Sequence, residues 1–131
     1  MNICVYGASS SIIAGAYINP VEELGARLAK RGHALVFGGG RHGLMGAAVR
    51  GVKSAGGRAL AVVPEFLASG GVIYENCDEI VYTDTMRKRK EIMEDRADAF
   101  IITPGGLGTL DEFFEILTLK QLGRHKKPIA V

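Results

Sequence analysis

An apolar run that breaks on glycines and resumes as a helix occurs twice in this chain, and it limits the fold more than any other feature. Ala34 to Phe37 lead into Gly38-Gly39-Gly40-Arg41-His42-Gly43-Leu44-Met45-Gly46, and Ala99 to Ile102 lead into Thr103-Pro104-Gly105-Gly106-Leu107-Gly108-Thr109. Short apolar runs bounded by turn residues read as buried strands. Further strands are expected at Ile3 to Tyr6, Arg58 to Val63, Glu79 to Tyr82 and Ile129 to Val131. Helices fall between them: one capped by Asn19-Pro20 and stopped by Gly32, one capped by Asp84 or Thr85, and one from near Thr109 to Leu122. Strict alternation of strand and helix predicts an α/β fold, a doubly wound parallel sheet in three α/β/α layers. Ligands then sit beyond the carboxyl ends of the strands, where both glycine turns lie.

The second turn has the outline of a phosphate site. Gly105, Gly106 and Gly108 allow close backbone approach, and a helix starting near Thr109 adds free amides and a positive dipole end. Thr109 is expected to cap that helix or touch the anion. Leu110, Phe113, Phe114 and Leu117 have core-stripe spacing, which puts Glu112 on another side with Ile116 and Leu119. An acid among apolar neighbours has two readings, a functional carboxylate or a capping-box residue returning to the Thr109 backbone.

The first turn satisfies G-x-G-x-x-G through Gly38, Gly40 and Gly43, so a dinucleotide site, a purely structural turn and a nucleotide-lining loop all stay open. The acid that a dinucleotide site needs is poorly placed, because the next strand ends late, at Pro64-Glu65. In the helix after Thr85, Met86, Arg89, Lys90 and Met93 share one face. Cations on an inward face need an anion; the alternative is a solvated basic run whose stems cover apolar surface.

A formal charge of +2 over 131 residues argues against a nucleic-acid partner. No apolar run reaches membrane-spanning length and no cation precedes Arg27, so the expectation is a cytoplasmic protein without a membrane partner. Cys4 and Cys77 form no disulfide framework, and His33, His42 and His125 show no ligand spacing, so neither a metal nor a cofactor is expected. Residues 1–131 read as a single domain. Because the last apolar strand has nothing after it to cover its faces, the expectation is that C-terminal helices are missing and that residues 1–131 alone expose apolar sheet surface.

The motif P-G-G-x-G-T-x-x-E at Pro104 to Glu112 resembles the signature of the Lonely Guy family of cytokinin-activating phosphoribohydrolases, proteins long mislabelled as lysine decarboxylases. Gly38 to Gly46 is similar to the family's G-G-G-x-x-G-L-M-G, Met86 to Lys90 to its M-x-x-R-K, and Gln121 to Pro128 to its Q-L-G-x-H-x-K-P. The resemblance implies a Rossmann-like fold, a homodimer, and hydrolysis of the N-glycosidic bond of a nucleoside 5'-monophosphate to free base and ribose 5-phosphate. It implies that Glu112 handles water and stabilises the oxocarbenium-like sugar, and that Arg89 assists at the scissile region. Ser9, Gly39, Gly40, Gly43, Lys90, Gly105, Gly106, Leu107, Gly108, Thr109 and Thr118 are then the substrate-binding candidates. The first turn reads Gly7-Ala8-Ser9 where the family usually has G-S-S. A nucleotide- or molybdopterin-binding carrier of the same fold, and a general purine-monophosphate nucleosidase, are the alternatives. For the dimer contact, the sequence offers the line Ile116, Leu119 and Leu122, left over once Leu110 to Leu117 is assigned to the core.

Overall fold

The computed structural model describes residues 1–131. Six strands, β1 (Asn2–Tyr6), β2 (Ala34–Phe37), β3 (Ala59–Pro64), β4 (Glu79–Thr83), β5 (Ala99–Ile102) and β6 (Ile129–Ala130), form one sheet in the order β4-β3-β2-β1-β5-β6. Every pairing is parallel. Four helices connect them: α1 (Ile18–Lys30), α2 (Gly43–Ser54), α3 (Met86–Arg96) and α4 (Leu107–Gln121). None is long and apolar enough to cross a membrane.

Side chains alternate across the pleat, and this builds two cores. Ile3, Val5, Leu35 and Phe37 pack with Val21 and Leu28 of α1 and Leu44, Val49 and Val52 of α2. Cys4, Tyr6, Val36 and Phe100 pack on the other side with Met93 of α3 and Ile116 of α4. The three-layer α/β/α arrangement predicted from alternation is the one observed. The chain steps over from β4 at one edge to β5 beside β1, so the winding direction reverses between β1 and β5. A crevice opens there beyond the carboxyl ends of the strands, between the loop after Tyr6 and the turn after Ile102.

Three expectations need correction. Helix α1 begins at Ile18 with Tyr17 as its cap, so Asn19 lies inside the first turn. Helix α4 begins at Leu107 with Gly106 as its cap and no side-chain capping bond, so Thr109 is not the cap and Glu112 closes no capping box. The third concerns which side of α4 is inside. Thr109, Glu112 and Ile116 are buried, while Leu110, Phe114 and Leu117 are 46%, 55% and 39% exposed. Two apolar lines ran along this helix, and the more hydrophobic one was assigned to the core. The sheet instead takes the line that aims Glu112 at the crevice, so Ile116 is core and cannot serve as a dimer contact.

Candidate functional site

Helix α3 carries Arg89 into the crevice. Thr85 starts that helix, its hydroxyl accepting from the Lys88 amide at 3.0 Å, and Met93 anchors it in the core. Arg89 is 5% exposed, and its Nη2 donates to the Gly38 carbonyl at 2.9 Å. That bond joins residues 51 apart in the chain. A Cβ on Gly38 would collide with the guanidinium, so this glycine leaves the space that Arg89 fills.

Glu112 enters from α4 and is equally buried. Its Oε2 and the Nε of Arg89 are both buried without a hydrogen-bond partner. Burial pushes the Glu112 carboxyl up to about 7, against the opposing pull of Arg89. Burial also lowers the Arg89 pKa, with Glu112 resisting the change. A half-ionised acid beside a fixed cation near neutral pH can exchange protons with a bound ligand.

The surrounding cleft, of about 370 Å3, is lined by the loop Gly7 to Ser10, by Met45, Leu67 and Met86, by the cap Gly106, and by Leu107 to Thr109, Asp111 and Glu112 of α4. The first amides of α4 have no intrahelical acceptor. Helix α2 differs, because the Ala8 carbonyl accepts from its Leu44 and Met45 amides at 2.8 and 3.2 Å. The anion end offered to a ligand is therefore that of α4. Gly43, with φ +62°, packs its Cα face on the Ala8 carbonyl and serves the turn. A literal G-x-G-x-x-G that spends its helix amides on its own chain is not built like a pyrophosphate cradle.

A second lobe of about 250 Å3 adjoins the cleft and shares Ser9, Met45, Leu67 and Arg89 with it. Gly38, Gly39 and Gly40 form its floor, and Val63, Val72 and Ile73 make it apolar. Of the sequence candidates, Ser9, Arg89, Gly106, Leu107, Gly108, Thr109 and Glu112 meet in the main cleft, and Gly39 and Gly40 in the side lobe. Gly105 is an exposed residue of the turn itself, where a Cβ would strike Thr109. Lys90 and Thr118 are elsewhere: Lys90 reaches Asp111 and Glu115, and Thr118 lines a shallow groove on the outer side of α4.

The model of the family described as possible lysine decarboxylase matches residues 45–131. A cytokinin riboside 5'-monophosphate phosphoribohydrolase of Mycobacterium tuberculosis is 44% identical over 129 residues, 98% of this chain and 68% of the relative. The chain belongs to the Lonely Guy family. A rice relative, the cytokinin riboside 5'-monophosphate phosphoribohydrolase LOG, is 42% identical over 98% of this chain and 53% of its own length. The Lonely Guy chain thus spans between about half and two thirds of these relatives. Among solved structures, the molybdenum cofactor carrier protein of Chlamydomonas reinhardtii superposes with a TM-score of 0.80 at 26% identity, over 98% of this chain and 73% of that one. A molybdenum cofactor binding protein from Rippkaea orientalis gives 0.78 at 26%, with the same coverage.

The sequence reads Gly38 only as one glycine of a turn left open between structural and nucleotide-lining roles, and it does not single out Met45 or Leu67, which line both the cleft and its side lobe. Gly38 stood inside a quoted motif, but its role depends on an arginine brought in from α3. Met45 and Leu67 carry no chemical signature, and only the fold turns them toward the cleft.

Proposed function

We propose that the protein hydrolyses the N-glycosidic bond of adenosine 5'-monophosphate or an N6-modified form of it, releasing the free base and ribose 5-phosphate. The observation that carries this reading is the buried, unpaired Glu112 carboxyl facing buried Arg89 in a cleft that ends on the first turn of α4. Cleavage of this bond develops positive charge on the sugar and negative charge on the leaving base. An anion and a cation fixed on opposite sides of the bond match that pattern, and they need no reorganisation as charge develops.

In this reading the phosphate sits on the α4 turn, where Leu107, Gly108 and Thr109 supply amides, with Gly106 allowing close approach and Ser9 beside it. The sugar lies between Glu112 and Arg89. Ionised Glu112 takes a proton from the attacking water and stabilises the ring, and Arg89 steadies the departing base, which extends toward the Gly38 to Gly40 lobe. The names of the relatives at 44% and 42% identity support the reaction and the substrate class.

The protein acts as a homodimer. Its contact is the outer stripe of α4, Leu110, Phe114 and Leu117 with Leu122, in place of the line containing Ile116. Thr118, on the same outer side, reaches a nucleotide only in such an assembly.

The test is release of free base from AMP and from an N6-isopentenyl form, with Arg89→Ala and Glu112→Gln as controls. Turnover lost in both variants supports the reading. No base released by wild type, with nucleotide or pterin held intact, would favour a carrier like the solved neighbours.

A further inference from the structure

Two cross-helix pairs sit side by side where α3 meets α4. Arg89 and Glu112 face the cleft, and the next residue on α3, Lys90, meets the residue before Glu112 on α4, Asp111. The Lys90 ammonium lies 3.1 Å from Asp111 and 2.5 Å from Glu115, with only 13% of its side chain exposed. The two acids are one helical turn apart on α4, so one cation spans that turn. Glu94, one turn beyond Lys90 on α3, faces Glu115 across the same joint, and its carboxyl is raised to about 7 chiefly by burial, with the neighbouring acid adding to the rise. The Lys127 ammonium then donates to the Glu94 carbonyl at 2.5 Å. Lys90 is absent from the lining of both lobes of the cleft, so its charge is spent between the helices.

We propose that Lys90 is a positioning residue: by clasping Asp111 and Glu115 it locks α3 to the start of α4 and sets the separation of Arg89 and Glu112. The role rests on the hydrolase reading for its catalytic consequence, but the clasp itself is a property of the joint. A rigid joint matters because Arg89 and Glu112 come from different helices and no ion pair between them fixes their distance. A shift of about 1 Å in such a pair can cost on the order of a hundredfold in rate. The Lys90 charge is itself supported by the clasp, since the hydrogen bond to Glu115, above its other partners, raises its pKa.

The experiment compares Lys90→Met, the charge exchange K90E/E115K made together with D111N, and the isosteric D111N/E115Q variant with wild type, using AMP as substrate. Lys90→Met and D111N/E115Q are expected to lower kcat by about tenfold or more while KM stays within about twofold. With Asp111 neutralised so that no like charge faces the acid at position 90, the exchange rebuilds the ion pair between positions 90 and 115 across the joint and should return kcat to within about threefold of wild type. Should Lys90→Met not fold, the D111N/E115Q variant carries the same test from α4. A rise in KM at unchanged kcat, with no rescue by the exchange, would mean that Lys90 touches substrate and would overturn the proposal, as would wild-type kcat in both clasp variants or a kcat loss that the exchange does not restore.

The nitrogen-15 signal of the Arg89 side chain gives a readout independent of turnover. It should shift or broaden in Lys90→Met and recover in the exchange variant; an unchanged signal sinks the clasp. A wild-type protein that releases no adenine would remove the hydrolase reading and leave this measurement to decide the clasp alone.

Discussion

At the scale of single residues, Glu112 links stability and activity through one proton. Its carboxyl sits near 4.5 in an unfolded chain and at about 7 here, raised chiefly by burial. Between those values the native state holds a proton that the unfolded state has released, so stability falls as pH rises from about 4.5 to about 7 and stays lower above that. The shift corresponds to roughly 3 kcal/mol at most. Glu112→Gln should therefore melt higher than wild type at pH 8 and close to wild type near pH 4 in thermal scans. The same variant should bind AMP and lose at least about a hundredfold in turnover, the usual scale for a lost acid-base group. In wild type, kcat/KM should rise with pH and level off above about 7, because the ionised carboxylate is the active form; a profile flat from pH 5 to 8 would remove Glu112 as the base. Gly38 gives a second residue-scale prediction. Its φ is not positive, so alanine fits the backbone, but the new methyl takes the place of the Arg89 guanidinium. Gly38→Ala should keep its melting temperature within a few degrees, since a flexible side chain can move aside, and lose about ten- to a hundredfold in kcat.

At the scale of elements, α1 and α2 approach closely because glycines replace side chains at their crossing. A Cβ on Gly51 would meet the Glu22 carbonyl, and one on Gly25 the Ala48 carbonyl. Backbone cannot swing aside as an arginine can, so Gly51→Ala should cost about 1–3 kcal/mol, read as a melting temperature several degrees lower. Gly15→Ala, with nothing within 4 Å of the new methyl, is the control and should melt like wild type. Helix α4 shows how an element can be found and still be misoriented. Its end was legible from Gly123, and the glycine turn before it gave its start to within about two residues. Its inward side was not, since two apolar lines competed and hydrophobicity favoured the wrong one. The line with Ile116 is the one that faces inward, where Ile116 joins Tyr6, Phe100 and Met93 in one buried cluster.

For the whole molecule, the consequence is an apolar stripe on α4 facing outward. Leu110, Phe114 and Leu117 continue from Leu107, which is 87% exposed, and Phe113 and Phe114 lie 5.2 Å apart in tilted contact. A stripe of this kind favours association, and a twofold contact would place it against its own copy. Phe114→Glu should convert a dimer to a monomer in sedimentation while the circular dichroism of the fold is kept. Ile116→Glu should instead unfold the chain, because that side chain is fully buried. If Phe114→Glu sediments as wild type does, the contact lies on another surface.

The sequence by itself determined the order of strands and helices, the parallel sheet with two covered faces, and the two glycine turns at one edge. These follow from local chemistry: apolar runs, glycine punctuation and helical spacing act over a few residues. It also marked Arg89 and Glu112 as an inward cation and an acid among apolar neighbours, each with a bland alternative. Tertiary structure removed the bland alternatives, since Glu112 closes no capping box and Arg89 is buried away from solvent, and both facts are properties of packing. It moved the α4 start to Leu107, gave the α2 amides to Ala8, paired Gly38 with Arg89 and turned Lys90 toward Asp111 and Glu115. Each of these joins segments far apart in the chain or depends on which side of a helix meets the sheet, and no local pattern encodes that choice.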